Sequence, residues 1–207
     1  MRCTFLLLLA GAACAQQREF GALGGGGFLP SLPVQGAPTA VSAGLAAGPV
    51  AGALFGQDLY SHLGGELRYL YQQRNLSVTS GGTSAVFSGQ AHVVHYDLLY
   101  YPRPRQQRVR AYVSAGGGMK LFRGTGSEAA YQPLMQYAYL TQTSELKPML
   151  TVGGGVKIYL GRRMLLRVDV RDEMTQFPTK LITPAPGLSV GGWLHDVVPT
   201  VGFSWAF

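Results

Sequence analysis

The sequence has almost no cysteine: two in 207 residues, Cys3 and Cys14, both within the first fifteen. If that segment is removed, disulfides, thiolate metal sites and cysteine nucleophiles are all unavailable to the rest. Charge is scarce as well. Charged residues make up 13% of the chain, about half the share of a soluble domain, although 47% of residues are hydrophobic. No apolar run reaches the about 20 residues a membrane-spanning helix needs. After residue 15, no segment of useful length repeats apolar residues at i, i+3, i+4 and i+7, which argues against helices. The four histidines, His62, His92, His95 and His195, have no spacing that gathers three metal ligands. The glycine clusters lack the strand-turn-helix context of a phosphate loop. No metal and no cofactor is expected.

What is present begins with a leader. Arg2, an apolar run from Phe5 to Ala13, and the small-x-small end Ala13-Cys14-Ala15 read as a secretory signal peptide over residues 1–15, cleaved before Gln16. Residues 16–207 then form one domain. Cys14 leaves a lipoprotein signal as an alternative, although Gly11 stands where such signals carry Leu. Mean hydropathy is only +0.13, because Gly, Ser, Thr and Gln dilute the apolar content.

Period-two alternation recurs between the Gly, Pro and Ser clusters, so the chain reads as nearly all strand. Eight strands are expected, at about 19–28, 40–56, 63–74, 84–101, 109–123, 147–161, 164–176 and 195–207. Connections alternate between long (29–39, 75–83, 124–146, 177–194) and short (57–62, 102–108, 162–163), as an up-and-down membrane barrel requires. Strands one and two, with Gly24–Gly27, the small-residue run 40–53 and Pro49, fit the pattern most loosely.

The two faces of each strand differ sharply. Leu67, Tyr69 and Tyr71 oppose Glu66, Arg68 and Gln72; Val94, Tyr96, Leu98 and Tyr100 oppose His95 and Asp97; Leu166, Val168 and Val170 oppose Arg167, Asp169, Arg171 and Glu173. Lys120 and Lys157 share the polar face with Gly116, Gly118, Gly153 and Gly155. A soluble sandwich would not bury that set. The expectation is an all-β fold, a transmembrane up-and-down antiparallel β-barrel of about eight strands with the apolar face toward lipid. Glycine runs at 116–118 and 153–155 relieve crowding inside a narrow, strongly curved barrel.

The final stretch VVPTVGFSWAF alternates Val197, Pro199, Val201, Phe203, Trp205 and Phe207 on one face and ends on an aromatic. Here the sequence resembles the bacterial outer-membrane β-barrel proteins, the eight-stranded group of the OmpA, OmpX and OmpW type. The resemblance implies residence in the outer membrane of a Gram-negative-type bacterium, surrounding outer-membrane lipids, and a terminal Phe207 read as a signal by the barrel-assembly machinery. No peptidoglycan-binding segment follows the barrel in this sequence, so cell-wall anchoring is not carried over as an expectation. The oligomeric state is left open.

Three function classes remain. Glu66, Arg68, His95, Asp97, Lys120, Lys157, Arg167, Asp169, Arg171 and Glu173 are candidates for ion pairs across the lumen, either lining a narrow porin-like path or simply filling the barrel. Tyr131, Met135, Tyr137, Tyr139, Phe177, Ile182 and Trp193 lie in the two longest loops and suit an adhesive or ligand-binding surface. A lipid-modifying or peptide-cutting enzyme is the weakest class: Ser88, His92, His95 and Asp97 are near in sequence, but His92 faces opposite to His95 and Asp97, so no catalytic residues are expected. The formal charge of +7 is spread along the chain, and its closest groups, Arg103/Arg105/Arg108 and Arg162/Arg163, fall at tight turns. Nucleic acid is therefore not an expected partner.

Overall fold

The computed structural model describes residues 17–103 and 107–207. The expected leader and its cleavage point before Gln16 lie outside the described residues. The described chain forms fourteen strands in the order β1 (Arg18–Gly27), β2 (Leu32–Pro33), β3 (Val41–Leu45), β4 (Gly48–Asp58), β5 (Leu63–Gln73), β6 (Leu76–Ser80), β7 (Thr83–Phe87), β8 (Gly89–Tyr100), β9 (Val109–Gly124), β10 (Ala138–Leu140), β11 (Ser144–Tyr159), β12 (Met164–Gln176), β13 (Ile182–Pro184) and β14 (Trp193–Ala206).

Eight of these close into a barrel in the order β1-β14-β12-β11-β9-β8-β5-β4, every neighbouring pair antiparallel. Each barrel strand pairs with the next barrel strand in the chain, and β1 meets β14 to complete the ring. Closure leaves no sheet edge, the condition for strands to cross a bilayer. Alternation decides which face meets lipid. In β12, Val168 and Val170 are each 46% exposed, whereas Arg167, Asp169, Arg171 and Glu173 are at most 3% exposed. Phe20, Phe203, Trp205 and Phe207 stand exposed at one end of the wall, and Tyr69, Tyr71 and Trp193 toward the other, the positions of interfacial aromatic girdles.

Two of the eight expected strands are interrupted. The segment 40–56 contains β3 and then β4, and the segment 84–101 contains β7 and then β8. Hydrophobic alternation runs through the second break, so period alone could not reveal it. The long connections are not irregular either. Strands β2, β3, β6 and β7 make a four-stranded sheet beyond the wall, and β10 pairs with β13. The β6–β7 turn carries Gly81 and Gly82 at φ +53° and +82°, the paired positive values of a two-residue hairpin.

These outer strands fold over one mouth of the barrel. Their core includes Leu45, Leu76, Val78, Phe87, Leu140 and Ile182, and it joins Ala91, Phe122 and Leu194 from the upper ends of barrel strands. The opposite end carries the short turns.

Candidate functional site in the barrel lumen

Inside the wall, seven buried carboxylates (Glu19, Asp58, Glu66, Asp97, Asp169, Glu173, Asp196) meet seven buried cations (Arg68, Arg74, Arg110, Lys120, Lys157, Arg167, Arg171). At the centre, Glu66 receives Arg167 Nη2 at 2.6 Å and Arg171 Nη2 at 2.9 Å, and also meets Arg68 Nε. Arg68 makes a two-point contact with Asp169, at 3.0 and 2.6 Å. Asp169 further accepts from Tyr112 Oη at 2.8 Å and Thr200 Oγ1 at 2.9 Å. Asp97 meets Arg171, the Thr151 hydroxyl, and His95 Nδ1 at 3.0 Å.

Toward the short-turn end, Glu19 binds Lys157 at 2.5 Å and Arg167 at 2.9 Å, while Arg110 donates to Asp58 at 2.9 Å and lies 3.4 Å over the Tyr101 ring. Toward the capped mouth, Asp196 accepts from Arg74 at 2.9 and 2.8 Å and from Lys120 at 2.6 Å. Lys120 also reaches Glu173 at 2.9 Å, which accepts from Gln72 at 2.9 Å.

All ten residues that the sequence marks as lumenal therefore point inward, and they divide between these three clusters. Sequence reasoning omitted Glu19, Asp58, Arg74, Arg110, Tyr112 and Asp196. Arg110, Tyr112 and Asp196 share parity with assigned inward positions and were legible by extending the alternation. Arg74 likewise shares parity with Glu66, Arg68 and Gln72 within the expected strand 63–74, whereas Asp58 lies beyond the expected end of strand two, where alternation gives no warning.

A second signal was available in the glycines. Register places Gly56 opposite Glu66, Gly116 opposite Asp97, Gly118 opposite His95, Gly153 opposite Arg171, Gly155 opposite Asp169 and Gly202 opposite Arg167. A Cβ at Gly116, Gly118, Gly153 or Gly155 would run into the residue opposite, Asp97, His95, Arg171 or Asp169, whereas one at Gly56 would meet the Glu19 carboxylate and one at Gly202 would meet Ala22 and Leu23. A Cβ on Gly155 would collide with Asp169 Cβ, and one on Gly116 with the Tyr96 carbonyl oxygen and the Asp97 carboxylate.

Between the central and upper clusters lies an apolar layer of Leu23, Val50, Leu54, Leu70, Val93, Met149 and Val198. Along β5 it falls between Arg68 and Gln72, and along β14 between Thr200 and Asp196. The large lumenal side chains Arg68, Arg74, Arg110, Arg167, Arg171 and Lys120 are all under 2% exposed. Eight strands leave an interior just wide enough for side chains, and here side chains fill it. Ionic plug, apolar layer, second plug and apolar cap follow one another along the axis.

The wall's outer face has its own polar groups. His92 binds Tyr69 Oη at 2.8 Å through Nδ1, and Tyr71 Oη donates to Gln90 at 3.2 Å. His195 pairs with Asp172 at 2.7 Å. His95, by contrast, is inside the barrel. Ser88, His92, His95 and Asp97 thus share no site, and no group of three or more metal-ligating side chains occurs among the described residues. Of the loop residues, Phe177 and Ile182 are buried in the cap, whereas Tyr131 is 74% and Trp193 53% exposed.

A closed, up-and-down, eight-stranded antiparallel wall with an apolar belt defines the class of fold: a transmembrane-type β-barrel. No protein-family profile and no curated protein sequence matches the chain. Solved structures do match. The outer membrane protein OprG from Pseudomonas aeruginosa aligns with a TM-score of 0.63 at 18% identity, covering 91% of this chain and 95% of that one. Neisserial surface protein A aligns at 0.56 with 10% identity, covering 93% and 97%. A major outer membrane protein from Thermus thermophilus aligns at 0.53 with 16% identity, covering 92% and 99%. At these identities the likeness is one of fold.

Proposed function

We propose that the protein is a closed barrel, a structural component of the outer membrane that carries a folded extracellular cap, and not an open porin. The observation that carries this reading is the complete burial and mutual pairing of the lumenal charges. An ion path along the axis would require several of these pairs to separate, and leaving a buried charge without its partner costs about 3–5 kcal/mol. The apolar layer and the cap add barriers in series.

The barrel's partners are the lipids around its belt and, during biogenesis, the assembly machinery, for which exposed Phe207 just beyond β14 is the proposed contact. A second reading, an adhesive or ligand-binding surface, is favoured by one observation: Tyr131 and Val86 stand on the cap at 74% and 64% exposure. It is compatible with a closed lumen. For a lipid-modifying enzyme, the residues the sequence offered, Ser88, His92, His95 and Asp97, share no site among the described residues.

Liposome swelling tests the proposal. Vesicles carrying the refolded protein should swell in small sugars or amino acids no faster than protein-free vesicles. Swelling that scales with the amount of folded barrel would overturn the closed-lumen reading.

A further inference from the structure

The net charge of the chain has a place in the fold. Seventeen Lys and Arg oppose ten Asp and Glu, leaving +7. Seven pairs cancel in the lumen. The other three carboxylates, Glu128, Glu145 and Asp172, lie on the cap or the upper wall together with Arg123, Lys147 and Lys180. Glu145 pairs with Lys147 at 2.8 Å and accepts from the Lys180 amide at 2.9 Å. The outer end is thus balanced too. Apart from Arg2 and Arg105, which lie outside the described residues, the whole excess is Arg18, Arg103, Arg108, Arg162 and Arg163.

All five sit at the short-turn end. Residues dispersed in sequence are gathered because an up-and-down barrel returns to the same rim at every second connection. Backbone bonds fix the neighbours: Phe207 donates to the Arg18 carbonyl, Ala206 to that of Arg163, and Tyr159 to that of Arg108, each at 2.7–2.9 Å. The arginines therefore follow the rim from β1 through β14, β12 and β11 to β9. Arg103, Arg108, Arg162 and Arg163 are exposed. The nearest carboxylates, Glu19 and Asp58, are buried in the barrel, where they bind Lys157 and Arg110, and the exposed rim has no Asp or Glu among the described residues.

Depth completes the argument. Immediately above this rim the lipid-facing wall carries Phe20, Tyr100, Phe203 and Trp205, the kind of aromatic belt that settles at headgroup level. Arginines one or two residues below it stand among phosphates, within reach of long, snorkelling side chains.

We infer that this periplasmic arginine collar binds the phosphate headgroups of anionic phospholipids in the facing leaflet, and so fixes the barrel's depth and orientation. The inference is independent of whether the lumen conducts. The collar is an arc of exposed guanidinium groups with no Asp or Glu between them among the described residues, suited to phosphate oxygens and placed where a bilayer presents them.

The test reconstitutes the purified barrel in phosphatidylcholine vesicles with trace spin-labelled phosphatidylglycerol or phosphatidylcholine, and compares the motionally restricted fractions. Juxtamembrane basic residues attract anionic lipid with an energy that adds residue by residue, so an about threefold to tenfold preference for phosphatidylglycerol is expected at low salt. It should fall toward parity at about 0.5 M salt, where charges are screened over a few ångströms. The combined R103Q, R108Q, R162Q and R163Q variant should lose the preference, the corresponding Lys variant should keep it, and R123Q with K180Q should leave it unchanged. Heat-dependent gel mobility reports folding; if the fourfold variant does not fold, R162Q with R163Q should still lower the preference. Parity in the unaltered protein, or a preference surviving in the fourfold Gln variant, would overturn the inference. Binding of soluble anionic peptidoglycan fragments by the detergent-solubilised barrel, abolished by the same substitutions without any lipid preference, would assign the collar to the cell wall instead.

Discussion

Arg68 and Asp169 offer the sharpest test of the lumenal account. They sit on β5 and β12, form two direct bonds, and are 1% and 3% exposed. Replacing Arg68 with Met leaves the seven lumenal carboxylates facing six cations. Asp169 keeps Tyr112 and Thr200, and Glu66 keeps Arg167 and Arg171, so the loss is that of one buried partner. Breaking a buried pair from one side costs about 3–5 kcal/mol. Replacing Asp169 with Asn should cost a similar amount, because Arg68 is then left with Glu66 alone. The double variant restores charge balance, so it should recover at least about 2 kcal/mol of the summed losses, within the range of coupling for residues in contact. Reversible urea unfolding from lipid vesicles, with slope as well as midpoint recorded, gives all three numbers. Single losses below about 1 kcal/mol, or additivity within about 0.5 kcal/mol, would refute the claim that these charges form a tight, dry network.

Two further outcomes follow from the same geometry. Val168→Arg, on the lipid face of β12, should destabilise by about 2–4 kcal/mol if it lies at the midplane, whereas Arg167→Gln should disturb the lumen without preventing insertion; equal insertion defects would contradict the assigned faces. Gly155→Val should destabilise by at least about 1–3 kcal/mol, the usual cost of overpacking, because its Cβ meets Asp169 and the Val168 carbonyl oxygen. Gly155→Ala should already show most of that loss, because the atoms it meets belong to the backbone and Cβ of β12; an unchanged unfolding midpoint would refute the close approach of the two strands there.

The wall was legible in the sequence because lipid imposes a strict two-residue period on it: β12 and β14 are visible from Val168, Val201 and Phe203 alone. The cap was not. Its strand β7 keeps the inward parity of the wall strand that follows it across the single residue Ser88, so that break left no mark, whereas the break before β4 left only the small-residue run and Pro49 that made strand two a loose fit. The ten lumenal residues followed from the polar face, but their partners did not, because pairing depends on register across strands, as between Arg74 and Asp196. The glycines opposite Asp97, Asp169 and Arg171 held part of that register information. Likewise the charge of +7 looked scattered along the chain until topology brought alternate turns to one rim.

Planar-bilayer conductance of the refolded protein, with heat-dependent gel mobility confirming a closed barrel, tests the central claim most directly. The account predicts an electrically silent membrane for the unaltered protein. Discrete, salt-dependent steps from the unaltered barrel would contradict the sealed lumen on which the proposed function rests.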